Sequence, residues 1–163
     1  MKYVIIILFI GAVLFLQIGI FPNLKIFNVF PNIILLAIIS LAILRDWKEN
    51  LGWIIIAGLF LDFYGFYNII GISVIALFLT SLFAGFLNQN LFKKENRFSL
   101  ILVYLIASLF YELFLMVAFR ALGAGFNLTL LEIVIKAIYS SILSLPIFYI
   151  VKWYVDKIKK IQS

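Results

Sequence analysis

Long apolar stretches, uncharged except for Glu112, constrain this chain more than any other feature of its sequence. They run over residues 3–21, 27–44, 51–61, 63–92, 98–119 and 138–151. A helix that crosses the hydrocarbon core of a bilayer needs about 20 apolar residues. The region 51–92 is about twice that length and is therefore predicted to contain two helices. Gly65, Asn68 and Gly71 mark the break between them.

Composition explains why these stretches cannot all be buried in a soluble core. Hydrophobic residues make up 66% of the chain and charged residues 12%, and the mean hydropathy is +1.22. Soluble domains are roughly half apolar and about a quarter charged. A domain of about 160 residues buries only around 70% of its surface, so the excess apolar area must face lipid.

The predicted fold class is an all-α integral membrane protein with a single transmembrane domain over residues 1–163. Its six helices are expected at about residues 3–21, 28–44, 51–66, 69–88, 98–119 and 132–151. No stretch shows the two-residue polar alternation of a membrane β-barrel. The third span is the shortest, so an arrangement of five spans with a re-entrant third segment stays open.

The distribution of lysine and arginine predicts an orientation, because cytoplasmic loops carry the excess of these residues. With six spans and a cytoplasmic amino terminus, both termini are inside. The inner set then comprises Lys2, Arg45, Lys48, Lys93, Lys94, Arg97, Lys152, Lys157, Lys159 and Lys160. The outer set is Lys25, Arg120 and Lys136. The net charge of +6 is thus interpreted as topological, and the basic tail over residues 152–160 as an anchor on anionic lipid.

The chain lacks the residue types that most catalytic mechanisms use. The chain has no cysteine and no histidine, which removes thiol nucleophiles, the commonest general base and the commonest metal ligand. A two-aspartate peptidase would need a partner for Asp62, but Asp46 and Asp156 are predicted on the inner side. We therefore expect no enzyme activity, no cofactor, no metal and no nucleic-acid partner.

A few ionisable residues are predicted at membrane depth, where charge is costly and often functional. Asp62 and Glu112 are expected in the outer halves of the third and fifth spans. Glu112 forms a predicted outer polar cluster with three more residues: Arg120, Glu132 and Lys136. Glu132 and Lys136, at i and i+4, are expected to neutralise each other, and Asp62 is one candidate counter-ion for Arg120. Either a structural lock between helices or a ligand or proton site fits this pattern.

Glycines accompany Asp62 on one side of the third span. Gly58, Asp62 and Gly65 stand at i, i+4 and i+7, which places them on one helix face. This face is predicted to pack against protein, because a neighbouring backbone can approach a glycine closely and satisfy the carboxylate.

Four sequence features together resemble the bacterial rod-shape-determining protein MreD family. They are Pro31-Asn32 before the second span, the charged turn Arg45-Asp46-Trp47-Lys48, the element Gly58-Leu-Phe-Leu-Asp62, and Gly71 before the fourth span. Their order and the total length carry the resemblance, which covers nearly the whole chain. Its motif residues here are Pro31, Asn32, Gly58, Asp62, Gly65 and Gly71.

The resemblance implies a non-enzymatic component of the cell-elongation machinery in the bacterial inner membrane. Members of that family bind the bitopic protein MreC and work with MreB, a RodA-type glycosyltransferase and a penicillin-binding transpeptidase in lateral peptidoglycan synthesis. The family also resembles, in its six-helix fold, the vitamin-binding S components of energy-coupling factor transporters. Such an S component is the alternative function, and a carrier of lipid intermediates is a third.

Overall fold

The computed structural model describes residues 11–13, 15–20, 23, 29–64, 69–90, 96–123 and 129–162. A π-helical turn at Leu16–Ile20 is followed by five α-helices. These are α1 (Ile33–Leu44), α2 (Trp47–Tyr64), α3 (Ile72–Asn90), α4 (Arg97–Ala121) and α5 (Leu130–Gln162). The predicted all-α class is confirmed. Only the second half of the predicted first span falls within the described residues.

Within the described ranges, three helices are long and apolar enough to cross a bilayer: α3, α4 and most of α5, over Leu130–Lys159. The predicted third span is the 18-residue helix α2, which carries Lys48, Glu49 and Asp62 within its length. At 1.5 Å of rise per residue it extends about 27 Å. It begins at Trp47, inside the predicted charged turn and four residues before the predicted boundary.

Helix α1 forms the centre of the bundle. Every residue from Ile33 to Leu41 is buried, and α1 contacts the π-helical turn and each of the other four helices. A helix that is apolar on all sides is typical of such a central position. The remaining helices follow one another around it, with α2 against α3, α3 against α4, and α4 against α5. The 12 residues of α1 extend only about 18 Å, which is less than the thickness of a bilayer core.

Helix α1 starts later than predicted, because polar side chains accept hydrogen bonds from its first amides. Asn32 has an extended backbone, and its side chain accepts a hydrogen bond from the Leu35 amide at 3.0 Å. The side-chain oxygen of Gln17 accepts another from the Ile33 amide at 2.8 Å. A helix start needs such acceptors for its unpaired amides, so α1 begins at Ile33 rather than at residue 28.

The carboxyl-terminal tail, which is predicted as an anchor on anionic lipid beyond a span that ends at residue 151, belongs to the last helix. Helix α5 continues to Gln162, eleven residues beyond the predicted end. Val151, Tyr154, Val155 and Ile158 are buried in the main core, spaced three and four residues apart. Lys152, Lys157 and Lys159 stay exposed on the other face. The lysines between these residues lower the average hydropathy of the tail, so a hydropathy profile does not reveal the apolar stripe. The spacing of three and four residues can still be recognised in the sequence.

The packing of the tail yields a matched test. Ile158→Ala removes a side chain that is 1% exposed, whereas Ile150→Ala removes one that is 55% exposed on the same helix. We expect Ile158→Ala to lower the free energy of unfolding by about 2–4 kcal/mol, and Ile150→Ala by less than about 0.5 kcal/mol. Heat-induced loss of the monodisperse peak of detergent-solubilised protein measures both. Equal midpoints for the two variants would contradict the docked tail.

Candidate functional site: ionisable side chains at the Asp62 end

The Asp62 end of the bundle is the end at which α2 and α4 finish and α3 and α5 begin. Asp62 is 1% exposed. One carboxylate oxygen accepts a hydrogen bond from the Gly71 amide at 2.6 Å, and the other accepts one from the Ser73 amide at 3.0 Å. The first amides of a helix have no acceptor within that helix. A negative charge at this position is also favourable, because the amino-terminal end of the helix dipole is positive. Asp62 of α2 therefore caps the start of α3.

Two of the predicted motif glycines contribute to this cap for different reasons. A Cβ atom on Gly58 would lie 2.5 Å from Cα of Val74, so only glycine lets the backbones of α2 and α3 approach this closely. Gly71 has a φ of +102°, a region that side chains rarely permit, and this turn directs its amide at Asp62. Gly65 lies outside the described residues.

A second contact joins α4 to α5. Nζ of Lys136 lies 2.6 Å from Oε1 of Glu112, and the Glu112 side chain is only 2% exposed. A buried charge that loses its partner destabilises a protein by roughly 3–5 kcal/mol. The pair therefore ties these two helices together strongly, whatever its net contribution relative to an apolar pair.

The predicted pairing of Glu132 with Lys136 is wrong. Glu132 instead accepts hydrogen bonds from the amide and hydroxyl of Thr129, at 2.7 and 2.8 Å, and its own amide donates to the Thr129 hydroxyl at 3.3 Å. This reciprocal arrangement is a capping box at the start of α5. The sequence signal was present as Thr129-x-x-Glu132, and it competes with the i, i+4 charge pattern. Lys136 is thereby left for Glu112.

Arg120 is also placed differently from the candidate pairing. It is exposed in the last turn of α4, where the unpaired carbonyl groups of a helix favour a cation. Among the described residues the ion pairs are Lys136 with Glu112 and Arg45 with Glu49, so Arg120 does not neutralise Asp62. The predicted outer polar cluster thus separates into one buried ion pair, one capping box and one exposed arginine.

Other buried polar residues were missed by the sequence interpretation. Gln17 is 2% exposed and caps α1, next to the predicted motif residues Pro31 and Asn32. The hydroxyl groups of Ser40 and Tyr104 lie 2.5 Å apart in the core and join α1 to α4. Single polar residues within apolar runs were the available signal, but their partners lie far away in the sequence.

Comparisons with protein-family models, with curated proteins and with solved structures find no match to this chain. Its function is therefore argued from its own residues. In the ranges that the structure describes, no three acidic side chains converge in a way that would hold a metal ion. The geometry does provide two polar contacts between helices. Asp62 connects α2 with α3, and Glu112 and Lys136 connect α4 with α5.

The cap at α3 predicts a large difference between two aspartates. Asp62→Asn replaces one accepting oxygen by an amide group that faces a backbone N–H, and we expect a loss of about 1–3 kcal/mol of stability. Asp46 is exposed, and Asp46→Asn should change stability by less than about 0.5 kcal/mol. Unfolding of the purified protein in detergent measures both. Similar, near-normal stability of the two variants would rule out the cap.

The contact between α2 and α3 predicts a similar contrast between two glycines of one helix. Gly58→Ala introduces a methyl group into the Val74 backbone and should destabilise the protein by about 1–3 kcal/mol. Gly52 has no atom within 4 Å of the position of an added Cβ. Gly52→Ala should therefore be neutral or stabilising by up to about 1 kcal/mol, since alanine favours a helix. Thermal unfolding of the two variants side by side tests the close approach.

Proposed function

We propose that this protein is a non-enzymatic scaffold of the bacterial cell-elongation complex, in the manner of the MreD family, and that it binds MreC in the inner membrane. One observation carries the proposal. Asp62, Glu112 and Lys136, ionisable groups inside the bundle, are each engaged in a contact between two helices. A proton carrier or an enzyme needs such groups to be available to a substrate, whereas a scaffold needs them to hold a fixed surface.

The geometry of the motif residues supports the same proposal. Gly58, Asp62 and Gly71, which carry part of the resemblance, form one structural unit in which α2 meets the start of α3. Asn32 caps α1 immediately after Pro31. These residues therefore act at helix starts and at a close contact between helices, both of which influence the angles between helices. A docking surface for a partner helix depends on those angles.

The proposed orientation places both termini in the cytoplasm. Its support is that cations from separate parts of the chain meet at one end of the bundle: Arg45 after α1 and Lys159 near the end of α5 line the same cleft. We name this the Arg45 end. The positive-inside rule assigns such an end to the cytoplasm. MreB, the RodA-type glycosyltransferase and the transpeptidase would join the wider complex through MreC or beside it.

A vitamin-binding S component is the rival proposal, since the MreD family that the sequence resembles is itself similar to S components in its six-helix fold. An S component binds its vitamin in a polar pocket that faces outward. The observation in its favour is the presence of Glu112 and Lys136 at the Asp62 end. Against it, this lysine and this glutamate already neutralise each other at 2.6 Å.

Co-purification tests the proposal. We expect the affinity-tagged full chain to retain MreC after solubilisation in mild detergent. Asp62→Asn should reduce the recovered MreC several-fold, because the angle between α2 and α3 is lost, whereas Asp46→Asn should leave recovery unchanged. Loss of MreC from a monodisperse wild-type protein would overturn the scaffold. A retained vitamin, or recovery of an energising membrane subunit with paired ATPases, would establish the rival.

A further inference from the structure

The Arg45 end contains an open polar cleft between helices. Two adjoining cavities of about 210 and 330 Å³ share Ala42, Arg45, Asp46 and Gln89 in their walls. The ends of α1 and α3, the start of α2 and the tail of α5 surround them. This end therefore differs from the Asp62 end, where Asp62, Glu112 and Lys136 close the contacts between helices.

The cleft has side chains prepared for a polar ligand. The Arg45 side chain is only 12% exposed, and its Nε lies 3.1 Å from Oε2 of Glu49, an ion pair without hydrogen-bond geometry. Ser81 is 2% exposed, lines the smaller cavity, and its hydroxyl has no hydrogen-bond partner among the described residues. A buried hydroxyl without a partner costs free energy that a bound ligand would recover.

Two aromatic side chains at the Arg45 end have the pattern expected at the level of lipid headgroups. Trp47 lines the smaller cavity and is 45% exposed, and Trp153 on α5 is 62% exposed. Lysines lie over both rings, Lys48 at 5.7 Å from the first and Lys157 at 4.7 Å from the second. Exposed tryptophans beside lysines are typical of the boundary between hydrocarbon and headgroups.

Charges of both signs line the cleft in equal number. Arg45 and Lys159 supply two cations, and Asp46 and Glu49 supply two carboxylates; Arg45 and Glu49 already form an ion pair with each other. A phosphate alone would be attracted by the first pair and repelled by the second. A ligand with a phosphate and a nearby ammonium group would match both pairs, and its N–H groups would donate to the carboxylates.

We propose that this cleft binds the headgroup of a phospholipid that carries both a phosphate and a primary amine, of the phosphatidylethanolamine type. The phosphate lies against Arg45, Lys159 and the Ser81 hydroxyl. The ammonium group lies against Asp46 and Glu49. The acyl chains run along the exposed apolar surface beside Phe86, which lines the smaller cavity and is 57% exposed.

Native mass spectrometry of the detergent-solubilised full chain tests the proposal. Phosphatidylethanolamine, phosphatidylcholine and phosphatidylglycerol with identical acyl chains are titrated in separate series. We expect the primary amine to bind about three- to tenfold more tightly than the quaternary amine, as one hydrogen bond to an exposed charged group would provide. Equal or tighter binding of phosphatidylglycerol would overturn the proposal, as would equally tight binding of free phosphoethanolamine.

Matched variants of exposed residues keep the test independent of folding. Asp46→Asn should remove the preference for the primary amine, whereas Asp156→Asn, on the tail but outside the cleft, should preserve it. Lys159→Gln should weaken binding of phosphatidylethanolamine about threefold, and Lys152→Gln should not. The same preference in the Asp46 and Asp156 variants would place the lipid elsewhere and refute the assignment.

Discussion

Polar groups inside an apolar bundle have no water to bond, and the rest of this structure depends on how that constraint is met. Asp62 meets it by accepting two amide hydrogen bonds at the start of α3. Gln17 and Asn32 meet it at the start of α1. Each of these acceptors satisfies groups that a helix end leaves unpaired, so the same contact that removes a cost also sets where a helix begins.

The central position of α1 follows from this arrangement. A 12-residue helix that is too short to cross a bilayer alone is stable here because four other helices cover it on all sides. The tail of α5 supplies part of that cover through Val151, Tyr154, Val155 and Ile158. The bundle therefore depends on its last residues as well as on its apolar spans, and the basic charges of the tail are presented on a docked helix.

The two ends of the bundle have different chemistry. At the Asp62 end, the carboxylates of Asp62, Glu112 and Glu132 have partners within the protein. At the Arg45 end, both charge signs and a buried hydroxyl line an open cleft. A scaffold with one closed and one open end would hold its helices at fixed angles while it exchanges polar contacts with the bilayer surface.

The sequence by itself determined the all-α class, the approximate places of the described helices and which ionisable residues lie within apolar stretches. These features depend on the length and period of apolar runs, which are local properties. The motif Thr129-x-x-Glu132 and the stripe from Val151 to Ile158 were equally local, but charges nearby masked them. Only the tertiary structure decided that Glu112 pairs with Lys136, that Gln17 caps α1 and that Asp62 caps α3. Those partners lie between nine and 24 residues apart, as numbered in the sequence. Their choice depends on which helices become neighbours and how closely their backbones approach.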